Sequence, residues 1–167
     1  MATRRTFILA GTGSGCGKTT VTLGLLSLLQ QRGMRVQPCK VGPDYLDTAW
    51  HIAISGIASR NLDSFMLPAP ILNALFTEQL QQADIAVIEG VMGLFDGNPS
   101  AADLARRFGV PVLGVINGAA MAQTFGALAY GLAHFQPDLP FSGVLGNRVG
   151  SQRHSDILRD CLPPGMR

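Results

Sequence analysis

The sequence predicts a three-layer α/β domain, a mostly parallel central sheet flanked by helices, on three observations. Short apolar runs alternate with helical segments, which calls for right-handed crossovers and a parallel sheet. Charged residues are only 14% of the 167, as expected when strands are buried on both faces. The same scarcity of charge also suits a surface that lies partly against another domain. Hydrophobic residues make up 47% of the chain, enough to bury one domain's core without disulfides or metal.

Taken in order, residues 6–10 are an apolar run ending in glycines and read as a buried strand. Residues 18–32 carry Val21, Leu25, Leu28 and Leu29 at helical spacing, with Gly33 as a C-terminal stop. Residues 35–40 read as a second strand, and 41–61 as a Gly/Pro/Asp/Ser-rich loop with room for one short helix. A helix over 70–82 leads to a third buried strand at 85–89. Next come a helix at 101–108, a fourth strand at 112–116, and a helix at 123–135; the run Met121, Phe125, Leu128 and Leu132, at helical spacing, reads as core. A fifth strand at 143–147 and a helix at 151–161 complete the pattern. In such sheets ligands bind beyond the carboxyl ends of the strands, and the unusual residues gather in the loops after the first, second, third and fifth.

The composition excludes several classes. A net charge of +2 is too small for a nucleic-acid binder. Cys16, Cys39 and Cys161 show neither CxxC spacing nor an even count, so a reducing cytoplasm is expected. The uncharged stretch 110–135 is broken by Pro111, Asn117, Gln123 and several glycines, so no membrane span is expected.

Between the first strand and first helix lies Gly11-Thr12-Gly13-Ser14-Gly15-Cys16-Gly17-Lys18-Thr19-Thr20. This is a phosphate-binding loop of the Walker A kind, and it makes the domain P-loop NTPase-like. Glycines let backbone N–H groups curl around an anion, and the helix N-terminus adds partial positive charge. Residues Gly13 to Thr20 are therefore expected to hold a nucleoside triphosphate, with Lys18 on the β- and γ-phosphates and the Thr19 hydroxyl on Mg²⁺. The loop's first glycine sits one residue early, at Gly11, with Thr12 in its usual place.

A metal-bound triphosphate needs carboxylates. Glu89 ends the third strand, where a Walker B acid sits, and Asp44 follows the second strand on the same rim; with Thr19 they form the expected Mg²⁺ set. Asp47 and Asp96 are further carboxylates in these loops, each equally readable as an ordinary turn aspartate. Lys40 is a candidate second cation for phosphate or a substrate carboxylate. Asn147, next to Arg148 after the fifth strand, carries the donor and acceptor that an adenine edge requires, or serves simply as a turn residue. His134 reads as structural; His51 and His154 lie near the rim without metal spacing. Cys16 has no base beside it, so it is not expected to be a catalytic thiol.

Three blocks then become informative together: Lys40-Val41-Gly42-Pro43-Asp44-Tyr45-Leu46-Asp47, Ser59-Arg60-Asn61-Leu62-Asp63-Ser64-Phe65-Met66, and Glu89-Gly90-Val91-Met92-Gly93-Leu94-Phe95-Asp96-Gly97. With Asn147-Arg148-Val149 and Arg153-His154, they closely resemble the cobyrinate a,c-diamide synthase family, in order and over essentially the whole chain. The wider superfamily, which includes dethiobiotin synthetase, shares the longer loop, so the glycine offset is expected.

The resemblance implies a cytoplasmic ATP-dependent amide ligase of cobalamin biosynthesis. The reaction it implies is phosphorylation of a peripheral carboxylate of the corrin ring by ATP, followed by displacement of phosphate by ammonia. It implies that Lys18 stabilises the transferring phosphoryl group and that Thr19, Asp44 and Glu89 belong to the Mg²⁺–nucleotide site. Asp47 and Asp96 would lie near the substrate carboxylates, with Asp96 positioning or deprotonating ammonia. The implied substrate is a corrinoid, cobyrinate or hydrogenobyrinate, and a homodimer is allowed. Residues 1–161 are expected to be the synthetase domain. Residues 162–167, with Pro163-Pro164-Gly165, are expected to begin a linker to a C-terminal glutaminase domain that supplies ammonia in the family and that this chain does not contain.

Related ligases such as cobyric acid synthase and dethiobiotin synthetase are the nearer rivals, and the Gly42-Pro43-Asp44 and Asp63 segments favour the a,c-diamide enzyme. Septum- and plasmid-positioning ATPases resemble the superfamily too, but carry a second lysine early in the loop, where this chain has Gly13.

Overall fold

A computed structural model describes residues 5–166. Its elements are β1 (Arg5–Gly11), α1 (Lys18–Gln31), β2 (Val36–Val41), α2 (Leu46–Ser55), β3 (Arg60–Leu62), α3 (Ala69–Gln81), β4 (Ile85–Glu89), α4 (Ala101–Phe108), β5 (Val112–Asn117), α5 (Thr124–His134), β6 (Phe141–Asn147) and α6 (Gln152–Asp160). The six strands form one sheet in the order β3-β2-β4-β1-β5-β6, and every pairing in it is parallel. The expected α/β architecture is therefore present, with one strand more than the sequence pattern shows. That strand, β3, is three residues long and lies inside the stretch read as a loop.

Strand side chains alternate between the faces, and both faces are buried. Ile8, Ala10, Cys39, Val41, Ile88, Val112 and Ile116 point to the side covered by α3, α4, α5 and α6. Leu9, Val36, Ile85, Val87 and Val115 point to the other side, where Leu26 and the half-buried Val21, Leu25 and Leu29 of α1 meet them. Met121, Phe125, Leu128 and Leu132 join the first core, as their spacing predicts. Among the described residues no helix is long and apolar enough to cross a membrane.

Two buried strand residues on the α1 side are charged. Lys40 and Glu89 are register partners on β2 and β4, and Leu9 of β1 is opposite Glu89 on its other flank. Strand register thus sets a lysine and a glutamate side by side at the carboxyl end of the sheet, directly below the start of α1. The other helix there is α2, and its polarity is inverted: His51 and Ser55 are buried, while Leu46, Trp50, Ile52 and Ile54 are exposed.

Candidate nucleotide site

The loop from β1 to α1 curls tightly for local reasons. Gly15 and Gly17 adopt φ of 78° and 101°, a region that disfavours residues with a Cβ. At Gly17 a Cβ would also collide with Asn147 Nδ2. Helix α1 begins at Lys18 with no side-chain cap and no acidic residue in its first turn, so its N–H groups and partial positive charge face outward.

Lys18 is buried to 8% exposure, and its ammonium donates to the carbonyls of Gly13 (2.8 Å) and Met92 (2.7 Å). Met92, at φ 49°, belongs to the loop after β4, which is tied to β1 through Leu94 N–H donating to Gly11 O (2.8 Å). The lysine is therefore held across the phosphate loop by two elements of the fold. The carbonyl of Met92 is a partner that the residue pattern did not reveal.

Behind the loop the charged groups converge. Thr19 Oγ1 donates to Glu89 Oε1 at 2.6 Å and lies 3.3 Å from Asp47 Oδ1. Lys40 Nζ lies 2.7 Å from Asp47 Oδ2, 3.3 Å from Glu89 Oε1 and 3.8 Å from Asp44 Oδ2, and it donates to Gly90 O at 3.0 Å. Glu89 is fully buried, and its second oxygen meets His51 Nε2 at 2.7 Å. Burial pushes the Asp47 carboxyl up, but the hydrogen bond and charge of Lys40, with help from Asp44 and Thr19, outweigh it and hold Asp47 below the ordinary carboxylate value.

Ser14, Gly15, Gly17, Lys18, Thr19, Thr20, Lys40, Asp44, Asp47, Glu89 and Arg148 line one cavity of about 400 Å³ together with Val91 and Met92. Most residues singled out from the sequence thus share one site. Cys16 is buried behind the loop. Asn147 does not line the cavity: its Nδ2 donates to Cys16 O (3.0 Å) and its Oδ1 accepts from Arg148 N–H (2.9 Å), which braces the loop. Asp96 is exposed and accepts from Gly93 N–H at 2.9 Å, outside the cavity wall. His154 bonds Met121 O through Nε2, and His134 stacks on Tyr130 at 4.2 Å.

A magnesium ion carried by a nucleotide takes few protein ligands, prefers hard oxygens and keeps water. Thr19, Glu89 and Asp47 bring three such oxygens together, so the residues fit that ion. The carboxylate closest to Thr19 after Glu89 is Asp47, whereas the sequence pointed to Asp44. Asp44 Oδ1 instead accepts Asp47 N–H at 2.9 Å, closing the turn that leads into α2. Among the described residues no group of three or more His, Cys, Asp or Glu side chains is built to hold a metal by itself. An ion held largely by phosphates needs no such group.

The chain is 68% identical over 160 residues to a hydrogenobyrinate a,c-diamide synthase of Pseudomonas aeruginosa, covering 96% of this chain and 37% of that protein. It is 60% identical over 167 residues to a cobyrinate a,c-diamide synthase of Salmonella typhimurium, covering 96% and 36%. The chain therefore spans little more than a third of the length of these curated relatives. Among solved structures, a DUF1611 family protein from Anabaena variabilis superposes with a TM-score of 0.53 at 15% identity, over 95% of this chain and 52% of that one, a likeness of fold alone. Residues 7–162 match the family model CbiA, described as the CobQ/CobB/MinD/ParA nucleotide binding domain. With that match running from the first strand to the last helix, the chain belongs to this nucleotide-binding family.

Proposed function

We propose that this chain is the ATP-dependent synthetase part of a cobyrinate or hydrogenobyrinate a,c-diamide synthase acting in the cytoplasm. The observation that carries the reading is the convergence of Lys18, Thr19, Lys40, Asp47 and Glu89 on one cavity behind a phosphate loop. The names of the relatives at 68% and 60% identity supply the substrate class.

The chemistry follows from the weakness of a carboxylate as an electrophile. An oxygen of a corrinoid side-chain carboxylate bonds to the γ-phosphorus of ATP as the bond to ADP breaks, giving an acyl phosphate. The nitrogen of ammonia then bonds to the acyl carbon, phosphate leaves, and the nitrogen gives up a proton. Lys18 binds the moving phosphoryl group, whose charge it neutralises without transferring a proton. Bound Mg²⁺ supplies further charge neutralisation; Thr19, Glu89 and Asp47 would hold it, with Asp44 beside them. Lys40 keeps Asp47 ionised and sits where an incoming carboxylate needs a positive charge. Asp96, at the rim, is the group we assign to positioning ammonia. Residues 1–161 form the synthetase unit, and we place the start of a linker at 162–167. In this reading ammonia comes from glutamine, released by a glutaminase domain.

The acyl phosphate has a direct signature. With corrinoid carboxylates labelled with ¹⁸O, one labelled oxygen must pass to inorganic phosphate per amide formed. Unlabelled phosphate accompanying amide formation would rule the intermediate out. Running cobyrinate and hydrogenobyrinate in parallel identifies the preferred ring.

A further inference from the structure

Among the described residues His51 is the one fully buried histidine, and the residue pattern assigned it no role. It stands on α2 with no exposure, between Ser59 and Glu89. Its Nδ1 lies 2.9 Å from Ser59 Oγ and its Nε2 lies 2.7 Å from Glu89 Oε2. A buried imidazole costs stability unless both nitrogens are bonded, and in His51 both are. With the hydrogen on Nε2, the ring donates to Glu89 and accepts from the Ser59 hydroxyl.

The consequence for Glu89 is geometric. Its Oε2 is tied to His51, which leaves Oε1 facing Thr19 Oγ1 at 2.6 Å and Lys40 Nζ at 3.3 Å. A carboxylate bonded at both oxygens is restrained from turning, so Oε1 is presented to Thr19 and Lys40 in one orientation. Helix α2 is built around this task. Residues 47, 51 and 55 recur every four positions, one stripe of the helix. Asp47 and His51 from that stripe reach the charged cluster, while apolar Leu46, Trp50 and Ile54 from the neighbouring stripe are left outside. A merely space-filling α2 would show the opposite polarity.

We propose that His51 is a positioning residue that fixes Glu89 for the metal-bound nucleotide, working from behind the carboxylate without touching the ligand. This rests on the reading of the cavity as a metal–nucleotide site. Outer partners that orient ligating groups typically contribute about 10–100-fold in metal affinity or activity.

The test uses two replacements that keep different halves of the ring's bonding. In His51→Gln the side-chain amide reaches the position of Nε2 and retains the bond to Glu89. In His51→Asn the amide reaches only the position of Nδ1, toward Ser59. Mn²⁺ binding to the ATP-loaded chain, read by electron paramagnetic resonance, should match wild type within about threefold for H51Q and weaken about tenfold or more for H51N. ATP binding without metal should stay nearly unchanged in both. Equal affinity in wild type and H51N, or equal weakening in both variants, overturns the proposal. Should H51N not fold, the wild-type protein labelled with ¹⁵N-histidine decides: the buried Nε2–H resonance must shift when Mg·ATP is added, and no shift overturns it. Failure of wild type to bind Mn²⁺ with ATP would instead sink the metal–nucleotide reading.

Discussion

Replacing Lys40 by Met keeps most of the side-chain stem and removes only the ammonium. That ammonium is almost inaccessible, with 3% side-chain exposure, and bonds Asp47, Glu89 and the Gly90 carbonyl. Breaking a buried ion pair from one side costs about 3–5 kcal/mol, because the remaining charge stays buried. For Lys40 the loss should fall near the lower end, about 3 kcal/mol. Glu89 keeps His51 and Thr19, and Asp47 is partly open to water at 23% side-chain exposure. For a domain of this size that corresponds to a fall in Tm of about 6–12 °C. The pH dependence gives a second reading. Asp47 is held below the ordinary carboxylate value largely by Lys40, so its contribution is fully present above about pH 4 and is lost as pH falls through the lowered value. The gap between wild type and K40M must therefore be wide at pH 7 and shrink in acid. Urea unfolding followed by far-ultraviolet circular dichroism at pH 7 and across the acid range measures it. A gap under about 1 kcal/mol at pH 7, or one that widens in acid, would refute the assignment of Lys40 as the buried counter-ion.

Three further outcomes are expected. Ser100→Ala removes the cap of α4, whose hydroxyl accepts Asp103 N–H at 3.2 Å in a capping box, and should cost about 1 kcal/mol by thermal unfolding. Gly126→Ala would drive a Cβ into the Cys161 carbonyl oxygen and should destabilise by about 1–3 kcal/mol; on the same helix Gly131→Ala meets nothing within 4 Å and should be neutral or stabilising in the same melt. Burial pushes the Cys39 thiol up to about 12, so iodoacetamide at pH 8 should modify the half-exposed Cys161 and leave Cys39 intact until urea is added, as peptide mass mapping would show.

What the sequence disclosed, and what it hid, follows from how each feature is encoded. The β1–α1 loop was legible because chain-local chemistry dictates it: glycines for positive φ, then lysine and threonine opening a helix. Buried strands such as Ile85–Glu89 were legible as uninterrupted apolar runs. Helix α2 was legible only as room for one short helix within 41–61, since its inward residues are Asp47, His51 and Ser55, and a periodicity search for apolar faces reads that polarity backwards. Strand β3 is too short to carry a period and owes its existence to pairing with β2. His51 and Met92 act through contacts with residues 38 and 74 positions away, a separation no local spacing records. One clue to His51 existed: a histidine four residues after Asp47 shares its side of any helix drawn there. The bracing of the phosphate loop by Asn147 is of the same long-range kind, across 131 residues.

The most direct test is steady-state ADP release by this chain with Mg·ATP and ammonium, with and without cobyrinate or hydrogenobyrinate, against Lys18→Ala. A synthetase that activates a corrinoid carboxylate must show turnover that requires the corrinoid. In K18A that turnover should fall about a hundredfold or more, the scale of losing one preorganised charge-stabilising donor. ADP release that ignores the corrinoid, or that survives in K18A, would contradict the assignment.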